Sequence, residues 1–151
     1  MDTIDRKIIA LLTEDSRRSL ADIGGSVGMS VSAVNERIRR MTASGAIRRF
    51  TVDIDPLALG LGVLAFVWVE LAGDADEQAF RDWVATVPAI TECHHVTGGW
   101  SYLTKVRVGT LADLEAFLGS IKARGYLARS ETVIVLSTVS ETAVAATLDH
   151  A

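Results

Sequence analysis

Residues 28–45, GMSVSAVNERIRRMTASG, leave the chain little choice of local structure. A glycine closes the stretch at each end, and Ser30 stands where a capping hydroxyl can accept a hydrogen bond from an unpaired N–H of a first helical turn. Gly45 can take the left-handed conformation that ends a helix. Between them Val31, Val34, Ile38 and Met41 recur at spacings of three and four, so they form one stripe that must be buried against other helices. The opposite face carries Ser32, Ala33, Asn35, Glu36, Arg39 and Arg40, with Arg37 at its border. Short polar groups and a methyl early in the helix, followed by guanidinium groups, suit a rod whose first turns meet base edges and whose later residues meet phosphates. A charged helix face taken alone is more often only a solvated surface.

The preceding segment shifts that balance. Residues 19–27 read as a short helix, with Ser19 as its cap, Asp22 three residues on, and Leu20, Ile23 and Val27 on one side. A turn of Gly28, Met29 and Ser30 then leads into the second helix, which is the spacing of a helix-turn-helix. Ahead of both, Asp2 can cap a first helix with Asp5 in its first turn, and Ile4, Ile8, Leu11 and Leu12 complete a three-helix core. After Gly45 the alternation in residues 47–52 predicts an extended wing or linking strand, from which Arg48 and Arg49 reach flanking phosphates. The candidate DNA contacts are therefore Ser30, Ser32, Ala33, Asn35, Glu36, Arg37, Arg39, Arg40, Arg48 and Arg49. Gly24 and Gly25 inside the second helix are unexpected, since an interior Gly costs ~1 kcal/mol relative to Ala; close helix packing or a flexible reader would account for them.

Charge is divided in the same way. Residues 1–52 hold nine Lys/Arg against six Asp/Glu, a net +3, whereas the rest hold six against thirteen, a net −7. A basic front and an acidic back imply two jobs. The single cysteine, Cys93, rules out an internal disulfide. The start lacks the pattern of a signal peptide, and the longest uncharged apolar run, residues 57–69, is short of the ~20 residues that span a bilayer. A soluble, cytoplasmic protein is expected.

Residues 53–62, with the first proline and two glycines, mark a linker between a DNA-binding domain at 1–52 and a second domain at 63–140, followed by a tail at 141–151. The second domain reads as strand 63–71, helix 76–87 stopped by Pro88, strands 90–97 and 100–108 joined by a tight hairpin at Gly98 and Gly99, helix 111–124 capped by Thr110 with Asp113, and a last strand within 126–139. That order is a ferredoxin-like βαββαβ fold, so the fold class is α+β with an N-terminal winged helix-turn-helix. Such helices cover one sheet face only. In the first strand, however, both faces are apolar, with Val63, Ala65, Val67, Val69 and Leu71 opposed to Leu64, Phe66 and Trp68, and in the last strand Ile134 and Leu136 oppose Val133 and Val135. The expected cover is a second copy, giving a homodimer built sheet to sheet whose paired helix-turn-helix units read half-sites roughly 34–36 Å apart or a multiple of it.

The elements Ile4-Asp5-Arg6-Lys7-Ile8, Asp15-Ser16-Arg17, Val27-Gly28-Met29-Ser30, Arg37-Ile38-Arg39-Arg40-Met41 and Ser44-Gly45-Ala46-Ile47, with residues 96–103 (VTGGWSYL) and 105–108 (KVRV) farther on, resemble the Lrp/AsnC, or feast/famine, transcription factors over essentially the whole chain. The resemblance implies a sequence-specific DNA-binding regulator whose dimers assemble further, often to octamers, and which binds an amino acid in clefts between effector domains. It needs no cofactor and no metal. Carried over by position, the cleft involves His95, Gly98, Gly99, Trp100, Ser101, Tyr102, Leu111, Val133, Ile134 and Val135. Exposed N–H groups at a glycine turn can hold a carboxylate, and apolar strand residues a side chain. One departure is Ser101, where the family often has an acid, so this position offers no charge to an ammonium group.

Other readings stay open at this point. Cys93 and His95 share one strand face while His94 faces the other way, which leaves too few partners for a closed metal site. A tetrapyrrole decarboxylase of the sirohaem type, with a similar two-domain layout, would use His94 and His95 but has no need for a basic reading face. A third reading is a ligand-independent architectural DNA binder.

Overall fold

The computed structural model describes residues 1–141, so the tail expected at 141–151 lies, beyond Glu141, outside the described residues. The chain divides into two compact units, one holding residues 1–53 and the other Ile54–Val139.

The first unit is three helices: α1 (Thr3–Glu14), α2 (Leu20–Val27) and α3 (Val31–Ala43). Each start is fixed by the expected cap. Asp2 accepts from the Asp5 N–H at 2.8 Å while Asp5 accepts from the Asp2 N–H at 3.2 Å, and Ser19 and Ser30 accept from the N–H groups of Asp22 and Ala33. Gly28 and Gly45 take φ of 70° and 77°, closing α2 and following the Ser44 end of α3. The core is Ile8, Ile23, Val34 and Met41, with Ile4, Leu11, Leu12, Leu20, Val27 and Ile38 packed around it. Val31, expected in the buried stripe, is instead half-exposed and is not among the residues packed on that core. No wing forms. Residues 48–55 lie in no strand, because the described residues offer them no ladder partner.

The α2 glycines separate into two cases. A Cβ on Gly24 would sit 2.6 Å from the Met29 carbonyl oxygen, where the turn folds back to let Met29 N–H reach the Gly24 carbonyl at 2.9 Å. Nothing lies within 4 Å of a Cβ on Gly25. Close approach of the backbone therefore requires the first glycine and not the second.

The second unit opens with a 3₁₀ turn, Pro56–Leu59, inside the expected linker, and continues β1 (Val63–Leu71), α4 (Glu77–Thr86), β2 (Ile90–His95), β3 (Tyr102–Val108), α5 (Leu111–Ala123) and β4 (Leu127–Ile134). The sheet is antiparallel in the order β2-β3-β1-β4. Phe80 of α4 and Leu114, Phe117 and Ile121 of α5 close over Ala65, Val67, Val69, Tyr102 and Val106 on one face. Direct pairing puts Phe66 opposite Val133 and Trp68 opposite Leu103 on the other. On that face Phe66, Trp68 and Leu103 are part-exposed and Val133 is 47% exposed.

Two boundaries differ from the sequence reading. The β2–β3 connection is not a two-residue turn: Val96 N–H meets the Ser101 carbonyl at 3.1 Å, leaving four residues at the tip, with Gly98 at φ 107°. β4 ends at Ile134, and Leu136 lies past it, 98% exposed.

Gly24→Ala should lower the stability of the first unit by ~1–3 kcal/mol through the clash with the turn, whereas Gly25→Ala should be neutral or stabilising by up to ~1 kcal/mol. Urea melts of the two variants check this; equal effects would contradict it.

Candidate nucleic-acid interface and candidate effector site

The ten candidate DNA contacts, seven on α3 and three flanking it, do not behave alike. Ser32, Asn35, Glu36, Arg39 and Arg40 are exposed, Ala33 is part-exposed, and Arg39 holds only a loose pair with Glu36 at 3.6 Å. Ser30 caps the helix and lies 3.1 Å from the Ser32 hydroxyl. Arg48 and Arg49 are exposed just beyond the helix.

Arg37 is turned inward. Its guanidinium donates to Asp2 and to Asp5 at 2.7 Å each, and its side chain is only 20% exposed. Arg40 donates to both Asp5 oxygens at 3.2 Å but remains 60% exposed, so it can still meet a phosphate. Arg37, expected from the sequence as a DNA contact, has partners within the chain here: it ties α3 to the start of α1. Asp5, itself buried, receives both arginines. Burial pushes the Asp5 carboxyl up, but the hydrogen bonds from Arg37 and the Asp2 N–H outweigh it and hold it below its ordinary value of 3.8. The Asp5 N–H and Arg37 lower Asp2 likewise. Sequence reading saw Asp5 only as a helix-start acid. Its position three residues before Ile8, inside the buried stripe, was the available signal, because a buried carboxylate needs a cation.

The ten candidate effector residues fall into two groups. His95, Gly98, Gly99, Trp100, Ser101 and Tyr102 cluster at the end of the sheet where β1 reaches Val69, whereas Val133, Ile134 and Val135 lie beside Leu64, Ala65 and Phe66 near its start. Leu111, 60% exposed, follows β3 past the Val63 end. From Ala65 to Val69 the strand advances ~13 Å. One chain does not bring the two groups together.

Within the first group several polar groups are already engaged. Ser101 N–H donates to the Val69 carbonyl at 2.8 Å and its hydroxyl accepts from Leu71 N–H at 3.1 Å. Tyr102 is buried; its hydroxyl donates to Glu77 at 2.5 Å and accepts from Arg81 at 2.7 Å, and His95 stacks on its ring at 5.0 Å. Those contacts lower Glu77, while burial and the bond to Glu77 raise Tyr102. Arg129 of β4, which sequence reading missed, holds the loop: its guanidinium lies 4.1 Å from the Trp100 ring centre, donates to the Gly99 carbonyl at 3.0 Å and pairs with Glu70. The Gly98 and Gly99 backbones stay exposed. Cys93 packs against the core and burial pushes its thiol up, so it is no ready nucleophile. His94 faces the other side, 3.3 Å from Glu92.

Comparison with known proteins bears on both units. The AsnC-type helix-turn-helix domain matches residues 1–42 and the Lrp/AsnC ligand binding domain matches residues 64–145. The HTH-type transcriptional regulator FL11 of Pyrococcus horikoshii is 38% identical over 143 residues, 94% of this chain and 93% of its own. An AsnC family transcriptional regulator from Agrobacterium tumefaciens superimposes with a TM-score of 0.86 at 30% identity, covering 94% of each chain. A Neisseria meningitidis regulator solved as an L-Met complex shares the fold, with a TM-score of 0.87 at 22% identity over 94% of each chain. The relatives are named as transcriptional regulators, which sets the decarboxylase alternative aside.

Asp5→Asn should lower the melting temperature at pH 7. Because the carboxyl is depressed in the folded state, its stabilisation is present above 3.8 and fades as pH falls below it. The gap between variant and wild type should therefore close on acidification through that value. A gap independent of pH would contradict the ion-pair role.

Proposed function

The chain belongs to the Lrp/AsnC family of transcriptional regulators, and from that premise we propose that it is a cytoplasmic homodimer, assembling to higher order, whose DNA binding responds to an amino acid. The observation that carries the DNA reading is the division of labour on α3: Arg37 faces inward, while Ser32, Asn35, Glu36 and Arg39 remain free to face a major groove, with Arg40, Arg48 and Arg49 for phosphates.

Support for the two-copy state comes from the sheet. Its helix-free face keeps Phe66, Trp68, Leu103 and Val133 in partial contact with water, and an identical face is the self-complementary cover for them. Support for a shared effector cleft comes from the separation of the two candidate groups along β1. A neighbouring copy that sets its Leu111 and Val133–Val135 end against the loop at residues 96–101 would complete a pocket with backbone N–H groups at one side and apolar strand residues at the other. Ser101 supplies no charge there, so the carboxylate and side chain of an amino acid are the parts such a cleft would recognise, and no cofactor is required.

Arg39→Ala should weaken operator binding about tenfold, in line with ~1–3 kcal/mol for a bidentate base contact, without changing the melting temperature. Arg48→Ala should weaken operator and random duplex alike and reduce the salt slope by ~1. Wild-type binding by Arg39→Ala in gel-shift titrations would remove α3 as the reading face. In a thermal-shift screen of the common amino acids at least one should stabilise the protein, and the exposed substitutions Leu111→Arg and Ile134→Arg should abolish that response or change the native mass. If both retain the wild-type response and mass, the cleft is elsewhere.

A further inference from the structure

The loop between β2 and β3 is held differently at its base and at its tip. At the base, Val96 N–H donates to the Ser101 carbonyl, Ser101 N–H to the Val69 carbonyl and Leu71 N–H to the Ser101 hydroxyl, so the two ends are fixed to each other and to β1. Residues 97–100 form the tip. Among the described residues their backbone makes one hydrogen bond, in which the Gly99 carbonyl accepts from Arg129 at 3.0 Å. The N–H groups of Thr97, Gly98, Gly99 and Trp100 meet no acceptor among the same residues. Gly98, at φ 107°, adds no side chain to stiffen the turn.

One guanidinium therefore sets the tip. Its Nη2 donates to Gly99, it lies 4.1 Å from the Trp100 ring centre, and its Nε donates to Glu70, which faces Arg129 directly across the β1–β4 ladder. The Trp100 ring in turn rests 6.4 Å from that of Trp68, tilted by 34°. A planar fork can make all of these contacts at once, which a single ammonium cannot. Stability gives little reason for the arrangement, because Arg129 and Glu70 are 58% and 40% exposed and so open an ion pair contributes little. What the contacts supply is orientation: the unpaired N–H groups of the tip are held in one arrangement before anything binds them.

We propose that Arg129 is a positioning residue for the effector: by fixing Trp100 and the Gly99 carbonyl it pre-forms the donor-lined tip that receives the ligand's carboxylate, and Glu70 keeps the guanidinium in place. The inference rests on the amino-acid reading above and adds to it a side chain that acts through the loop without touching the ligand. Apparent affinity falls in proportion to the competent fraction, so a tip left untethered and competent about a tenth of the time binds about tenfold more weakly.

Titration of the full-length protein with the common L-amino acids, one at a time, tests it by thermal shift. The amino acid that stabilises wild type most should be needed at about tenfold higher concentration by Arg129→Gln, with the same maximal shift at saturation. Arg129→Lys, which keeps a cation over Trp100, should fall between the two. Near-ultraviolet circular dichroism reads the tip itself: the signal of the Trp68–Trp100 pair should be lost in Arg129→Gln and return when the amino acid saturates it. Arg124→Gln removes a like guanidinium contact, 5.2 Å from the Trp83 ring centre, and should change neither affinity nor that signal. Wild-type affinity in Arg129→Gln, or a loss no larger than that of Arg124→Gln, overturns the positioning role while leaving the amino-acid reading intact. Absence of any response from Arg129→Gln at saturation also overturns it, since the guanidinium would then be a ligand contact. A wild type that no amino acid stabilises overturns both.

Discussion

A buried carboxylate is tolerable in a small helical unit only if cations come to it, and the first unit is built around that requirement. Asp5 sits in the apolar stripe of α1, and the two arginines that reach it, Arg37 and Arg40, both belong to α3. The pair fixes more than stability. By drawing Arg37 inward it sets the rotation of α3 about its axis, and with it which side chains face outward: Ser32, Asn35, Glu36 and Arg39. Apolar packing of Ile8, Ile23, Val34 and Met41 is non-directional and would accept small rotations of that helix. A hydrogen-bonded charge pair is directional and accepts fewer. A recognition helix needs that kind of orientation, since base contacts tolerate little misplacement.

The second unit meets a different constraint. Its two helices cover one face of a four-stranded sheet whose central strand is apolar on both. The uncovered face and the split of the candidate effector residues between the two ends of β1 have the same physical form: each is a surface that the residues of one chain do not complete. In the two-copy reading proposed above, a homodimer with a shared cleft would supply each missing half with residues this chain already has.

Much of this was legible in the sequence because the signals were local. Asp2, Ser19, Ser30 and Thr110 cap the helices that their positions suggested, and Gly28 and Gly45, read as helix-stopping glycines, both take left-handed φ. Strand alternation placed Cys93 and His95 on one face and His94 on the other, as the pairing with Thr104, Tyr102 and Leu103 bears out. What escaped depends on partners distant in sequence. Arg37 looks like a border residue of a polar face until Asp2 and Asp5 are brought beside it from more than thirty residues away. The role of Arg129 depends likewise on Trp100 and Gly99 arriving from another strand. The wing was a misreading of true strand chemistry: alternation in residues 47–52 is real, but a ladder needs a second strand, and none of the described residues provides it.

The orientation of α3 is what the DNA reading turns on, and the arginine guanidinium Nη–H resonances report on it directly. In the free protein Arg37 should show slowly exchanging, shifted Nη–H resonances, since Nη1 donates to both Asp2 and Asp5, and titration with operator duplex should leave them in place while those of Arg39 move. Movement of Arg37 with Arg39 unperturbed would mean that the helix presents the opposite edge to DNA and would contradict the account.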